Sequence, residues 1–149
     1  MIQRVQTLFL LGITILSSLL IFIPFKEYRE ADSSYLLCLM PGCLSTMVKP
    51  FIYVPMVLNF VILALSLFTI FKYKNRKQQM KFSQLLMVLS ALLIGSLFVM
   101  DFIKGSSTTM VADYKIASFF PIINAVLAFL ARMFIKKDEE LVRSADRIR

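Results

Sequence analysis

Four stretches of the chain are apolar on every helical face, and short segments rich in Lys, Arg, Asp and Glu separate them. They cover residues 5–25, 51–71, 82–103 and 116–135. Each is about 20 residues long, which matches a hydrocarbon core of ~30 Å at ~1.5 Å rise per residue. A helix on the surface of a water-soluble domain carries an apolar stripe instead. The pattern predicts an all-α membrane protein, a single domain built as a four-transmembrane-helix bundle. The connection over 72–81 is short, so the second and third helices are expected to be antiparallel neighbours. Segment 26–50 is the longest stretch outside the spans and is expected to carry a little structure of its own.

Charge orients the bundle. Of the 17 Lys and Arg residues, 12 fall on the side holding the termini and 72–81, where they meet four acids; the other side has five of each. Basic residues accumulate on the cytoplasmic side of membrane proteins. Both ends are therefore expected in the cytoplasm, with the basic loop 72–81 and a tail over 136–149. Residues 26–50 and 104–115 are expected to face outward. The first apolar run reads as a retained helix, because Pro24-Phe25-Lys26-Glu27 offers no small-residue cleavage site. Tyr35-Leu36-Leu37 likewise lacks the small residues expected before a lipid-modified Cys38.

Composition narrows the chemistry. The chain of 149 residues is 58% hydrophobic with a mean hydropathy of +0.76, beyond the range of ordinary soluble domains. It contains no His, which removes the commonest metal ligand and the usual general base. Two Cys cannot form a four-thiolate site. No nucleotide loop, nucleophile elbow or metal motif appears. The expectation is a non-enzyme with no cofactor and no metal.

Cys38 and Cys43 flank Leu39-Met40-Pro41-Gly42, and Pro-Gly signals a type II turn. On an outward face they are candidates for a disulfide. A redox pair, a turn staple and two inert thiols all fit that spacing. Inside the spans the polar residues are Ser17, Ser18, Asn59, Ser66, Ser90, Ser96, Ser118 and Asn124. Asn59 and Asn124 are read as interhelical contacts, since intramembrane amides bond across helices. The sharper reading makes them line a substrate path, but no charged residue sits at mid-span, where coupled transporters usually keep one. Arg132 is near enough to its helix end to snorkel. Gly95 and Ser96 are expected to allow close helix contact, Pro55 to sit in the first turn of the second span, and Pro121 to bend the fourth.

The basic side gathers Lys72, Lys74, Arg76, Lys77 and Lys81 in the loop, and Lys136, Lys137, Arg143, Arg147 and Arg149 in the tail. In the tail Glu139 and Arg143 are spaced for an i,i+4 pair, and Leu141, Ala145 and Ile148 share a helical face. The fourth helix is thus expected to continue as an amphipathic end. A solvated, topology-setting tail is the plain reading; docking to an acidic partner, RNA or anionic lipid is the sharper one. Nothing points to DNA.

Several stretches together carry a family resemblance. They are Met1-Ile2-Gln3-Arg4-Val5-Gln6-Thr7, Tyr73-Lys74-Asn75-Arg76-Lys77-Gln78-Gln79, Tyr114-Lys115-Ile116 leading to Phe120-Pro121, and the tail from Ile135 to Arg149. The chain resembles the small four-helix membrane proteins of Bacteroidota called domain of unknown function 4293. The resemblance spans the whole chain, apart from the loop holding Cys38 and Cys43. It implies an inner-membrane location and no assigned activity. The functional expectation is an accessory or structural subunit of a larger membrane assembly. Partners would be other membrane-protein subunits, anionic lipids and, at the cytoplasmic face, the ribosome or export machinery. The alternative is a small homo-oligomeric transporter or channel.

Overall fold

The structure, a computed structural model, describes residues 3–30, 33–40, 49–72, 75–105 and 111–147. Four helices dominate: α1 (Gln3–Phe22), α2 (Lys49–Phe71), α3 (Arg76–Gly105) and α4 (Phe120–Arg147). All four are long and apolar enough to cross a membrane, the pattern of a multi-pass membrane protein. Each helix packs on two neighbours in the ring order α1–α2–α3–α4. The chain runs up, down, up and down around one core.

The buried positions repeat with alternating steps of three and four residues. On α1 they are Gln6, Leu10, Ile13, Ser17 and Leu20; on α3 they are Gln79, Ser83, Leu86, Ser90, Leu93, Leu97 and Met100. α2 follows with Ile52, Pro55, Asn59, Ile62, Ser66 and Thr69, and α4 with Pro121, Asn124, Ala128, Ala131, Ile135 and Asp138. A 3.5-residue period is the seam of a left-handed bundle with knobs-into-holes packing. Here the seam mixes Leu and Ile with Ser, Thr, Asn, Gln and Ala residues, while Phe22, Phe71, Phe98 and Phe102 point outward. Lipid is as apolar as Leu, so burying a large side chain inside the bundle gains little; small residues that let helices approach gain more. Phe9 stacks on Phe134 between α1 and α4 with ring centroids 5.4 Å apart, and Phe68 meets Phe82 edge-on at 5.5 Å between α2 and α3.

The structure adds a sheet to the all-α expectation. Strands β1 (Lys26–Glu30), β2 (Ser33–Leu37) and β3 (Val111–Tyr114) form an antiparallel sheet in the order β2-β1-β3. Tyr28 pairs with Tyr35 on one side and Ala112 on the other. The strands are short, and β3 is far from β1 in sequence. Along β1 the buried residues Lys26 and Tyr28 alternate with Glu27 and Arg29, a period of two that hydropathy alone hides because one inward residue is a lysine.

Helix ends also differ from expectation. α3 begins at Arg76, so much of segment 72–81 is helical. Asn75 starts it: its side-chain oxygen accepts from the Gln78 N–H at 3.3 Å, the geometry of an N-cap. α2 begins at Lys49, which places Pro55 in its second turn, not its first. Pro121 is the second residue of α4, after a 3₁₀ turn over Ile116–Phe119. The change from 3₁₀ to α geometry therefore falls beside the proline, which has no N–H to continue the hydrogen-bond ladder. Gly95 faces outward with open space around it, so it makes no close helix contact. Gly12 does instead: a Cβ there would stand 3.2 Å from Leu127 Cδ1 of α4. The Gly12→Leu variant is therefore expected to lose about 1–3 kcal/mol by overpacking, and Gly95→Leu to lose nothing measurable. Thermal unfolding of both in detergent checks this, and equal loss in the two would reject the assignment of faces.

Candidate functional site

Every neighbouring helix pair is joined by at least one polar contact. Between α1 and α2, Asn59 Nδ2 donates to the Ser17 carbonyl at 3.0 Å, and the Thr14 and Ser66 hydroxyls lie 2.9 Å apart. Between α1 and α4, Asn124 Nδ2 donates to Ser17 Oγ at 3.1 Å and Gln6 Nε2 to the Phe134 carbonyl at 3.3 Å. Gln79 Nε2 donates to the Thr69 carbonyl at 3.3 Å between α3 and α2. Between α3 and α4, Arg76 Nη1 lies 3.3 Å from Asp138 Oδ2 and donates at 3.5 Å to the Asp138 carbonyl. Such bonds contribute about 0.6 kcal/mol each on average in membrane bundles. Their larger effect is to fix rotation and register.

Asn59 and Asn124, singled out by the sequence, thus meet at one residue, Ser17. All three are fully buried, and Asn59 Oδ1 and Asn124 Oδ1 accept no hydrogen bond from the described residues. Of the other polar span residues, Ser18, Ser90 and Ser96 bond back to carbonyls of their own helices. Sequence reasoning missed Gln6, Thr14, Thr69 and Gln79. Their signal was spacing: Gln6, Thr69 and Gln79 sit on the same three-and-four repeat as Ser17, Asn59 and Ser90.

The sheet covers the end of the bundle where α1 finishes and α4 starts. The Phe25 carbonyl is its hub, accepting from the Lys115 N–H at 3.0 Å and from the Ser118 hydroxyl. The Phe25 N–H donates to the Leu37 carbonyl at 2.9 Å. Lys26 is buried, with its Nζ 4.5 Å from the centre of the Tyr114 ring and 5.6 Å from that of Tyr28, within cation–π range. Glu27 bridges Lys115 and Arg29, and Arg29 reaches Asp113 at 3.3 Å. The hydrogen bond from Lys115 holds the Glu27 carboxyl below its usual value; burial opposes this and Arg29 adds to it. Beside Tyr114 an apolar cavity of about 190 Å³ opens between Phe98, Phe119 and Ile122. Cys38 is buried next to β2 and is disulfide-bonded, while Cys43 lies outside the described residues.

At the opposite end, Lys72, Lys77, Lys81, Lys136 and Lys137 are exposed. Lys72 Nζ lies 5.5 Å from the Phe68 ring centre, and Lys136 pairs with Glu140 at 3.8 Å. Arg76 is partly buried against Asp138 and so is not part of a free basic surface. Lys74 and Arg149 lie outside the described residues, as do the side chains of Arg143 and Arg147. The same holds for the expected contacts of Ala145 and Ile148. α4 runs on through Arg147 as one helix, and Leu141 and Val142 on it are exposed. No group of three or more metal-binding side chains occurs among the described residues.

A family model described as Domain of unknown function (DUF4293) matches residues 2–148. The chain belongs to this family. The match runs over all four DUF4293 helices, the sheet and the α4 extension, so the segment with Cys38 and Cys43 falls inside it as well. No curated protein and no solved structure shows a significant match to the chain.

The Glu27 pair has a pH signature. Because the folded carboxyl titrates below its ordinary value, the pair adds stability above pH 4.5 and loses it as pH falls through the lowered folded value. Thermal unfolding of the wild type is expected to fall across that acid window, and Glu27→Gln to flatten the fall. Identical acid limbs in the two proteins would show that the pair contributes nothing.

Proposed function

We propose that this protein is a non-catalytic inner-membrane subunit that contributes to a larger membrane assembly, with its termini and the basic end of the bundle in the cytoplasm. The observation that carries the reading is the α4 extension. Asp138 anchors α4 to α3 through Arg76, and beyond it the helix continues to Arg147 with Leu141 and Val142 exposed. Nine further residues of helix reach about 14 Å past that anchor. An exposed apolar pair on a charged arm, flanked by exposed Lys136 and Lys137, suits a protein partner with acidic groups or a ribosomal or export component. Lys72, Lys77 and Lys81 extend the same positive end toward anionic lipid head groups.

The seam favours this over an open conduit: Leu10, Ile13, Leu86, Leu93, Ala128 and Ala131 fill it and are fully buried. The alternative, a small homo-oligomeric transporter or channel, draws support from the amide oxygens of Asn59 and Asn124, which have no donor among the described residues. Substituting both with Leu would abolish transport in proteoliposomes if they lined a path.

Replacing Lys72, Lys77, Lys81, Lys136 and Lys137 with Gln tests the subunit reading. Stoichiometric co-purification with a membrane or ribosomal partner is expected to fall at least several-fold and to weaken further as salt rises. Reporter fusions after residue 147 and within 106–110 are expected to read cytoplasmic and outward respectively. A wild-type protein that purifies as a single species, or a Gln variant that keeps its partner at every salt concentration, would reject the proposal.

A further inference from the structure

We infer that one water molecule is bound inside the bundle between α1, α2 and α4, bridging Asn59 and Asn124 beside Ser17. Three observations lead there. Both amides are fully buried and both reach the same residue, Asn59 through the Ser17 carbonyl and Asn124 through its hydroxyl. They come from α2 and α4, which are not neighbours in the ring of helices, and their complete burial puts both amides in the interior and not against lipid. The Oδ1 atom of each has no donor among the described residues.

The orientation of Asn59 is fixed by chemistry. A flipped amide would set its oxygen against the Ser17 carbonyl, acceptor against acceptor, so the Asn59 oxygen must face away from Ser17. Asn124 has more freedom, because a hydroxyl both donates and accepts. Flipping it, however, only exchanges an unpaired oxygen for an unpaired NH₂. The site therefore needs a guest that donates to Asn59 Oδ1 and can donate to or accept from Asn124. Water does both, and buried waters typically make about three hydrogen bonds to such leftover groups. A monovalent cation would answer only the oxygens. It would also enter a site of neutral amides and a hydroxyl with no counter-charge, which a low-dielectric interior disfavours. Water accordingly completes a four-member node linking three helices.

X-ray radiolytic footprinting of the full chain in lipid nanodiscs tests this, since radicals made from a bound water oxidise the side chains around it. Leu20 and Ile62 lie one turn from Ser17 and Asn59 and are fully buried; Leu86 on α3 is equally buried and serves as the reference. Oxidation of Leu20 and Ile62 is expected to exceed that of Leu86 at least five-fold, and to drop to the Leu86 level in Asn59→Leu. Asn124→Leu provides the same readout should the first variant not fold. Wild-type labelling at the Leu86 level would overturn the inference. So would labelling that survives both substitutions, or thermal stability that rises with sodium or potassium but not with choline, which would make the guest a cation.

Discussion

In hydrocarbon a polar group that finds no partner inside the protein finds none at all, and this constraint organises the whole chain. Apolar burial cannot hold four helices together when the surrounding solvent is equally apolar. The polar and small residues therefore line the interior seam, and each helix pair is closed by named contacts: Asn59 and Thr14–Ser66, Asn124 and Gln6, Gln79–Thr69, Arg76–Asp138. Large apolar side chains are free to lie on either side: Leu10, Ile62 and Leu93 pack in the seam, while Phe22, Phe71, Phe98 and Phe102 face outward at no loss.

The two ends of the bundle are built differently, and the proposed function rests on that difference. One end is closed by a sheet whose central strand buries a lysine between tyrosine rings and uses the Phe25 carbonyl to tie α1 to the start of α4. Among the described residues there, Glu27, Lys115, Arg29 and Asp113 form one ion-pair network. The other end leaves Lys72, Lys77, Lys81 and Lys137 exposed and sends α4 onward past the Arg76–Asp138 contact. Paired charge helps to hold the sheet end together, whereas exposed charge beside exposed Leu141 and Val142 is the basis of the proposed partner surface.

Much of this was legible in the residues. The four spans stood out because a helix that is apolar on every face over this length suits lipid far better than water. Asn59 and Asn124 stood out because amides are costly in lipid. The seam itself was harder to see. Its polar members are inconspicuous Ser, Thr and Gln residues set among Leu and Ile, and only the recurrence of Ser83 and Ser90, or of Asn124, Ala131 and Asp138, at seven-residue spacing marks them. Structure within segment 26–50 was expected and β1 and β2 lie there, but a sheet was not legible because β3 pairs with β1 across two whole helices and the inward face of β1 begins with Lys26. Gly95 drew attention while Gly12 made the close approach, since composition cannot say which face of an apolar helix meets its neighbour.

The inward-facing seam is the central claim, and α3 offers the most direct test of it. Single spin labels at positions 83–99, read by oxygen-collision rates in proteoliposomes, report which side chains meet lipid. The structure requires minima at Ser83, Leu86, Ser90, Leu93 and Leu97 and maxima at Leu85, Val88, Leu92, Gly95 and Val99. A profile of opposite phase, or one without a period near 3.5 residues, would contradict the fold and the functional reading built on it.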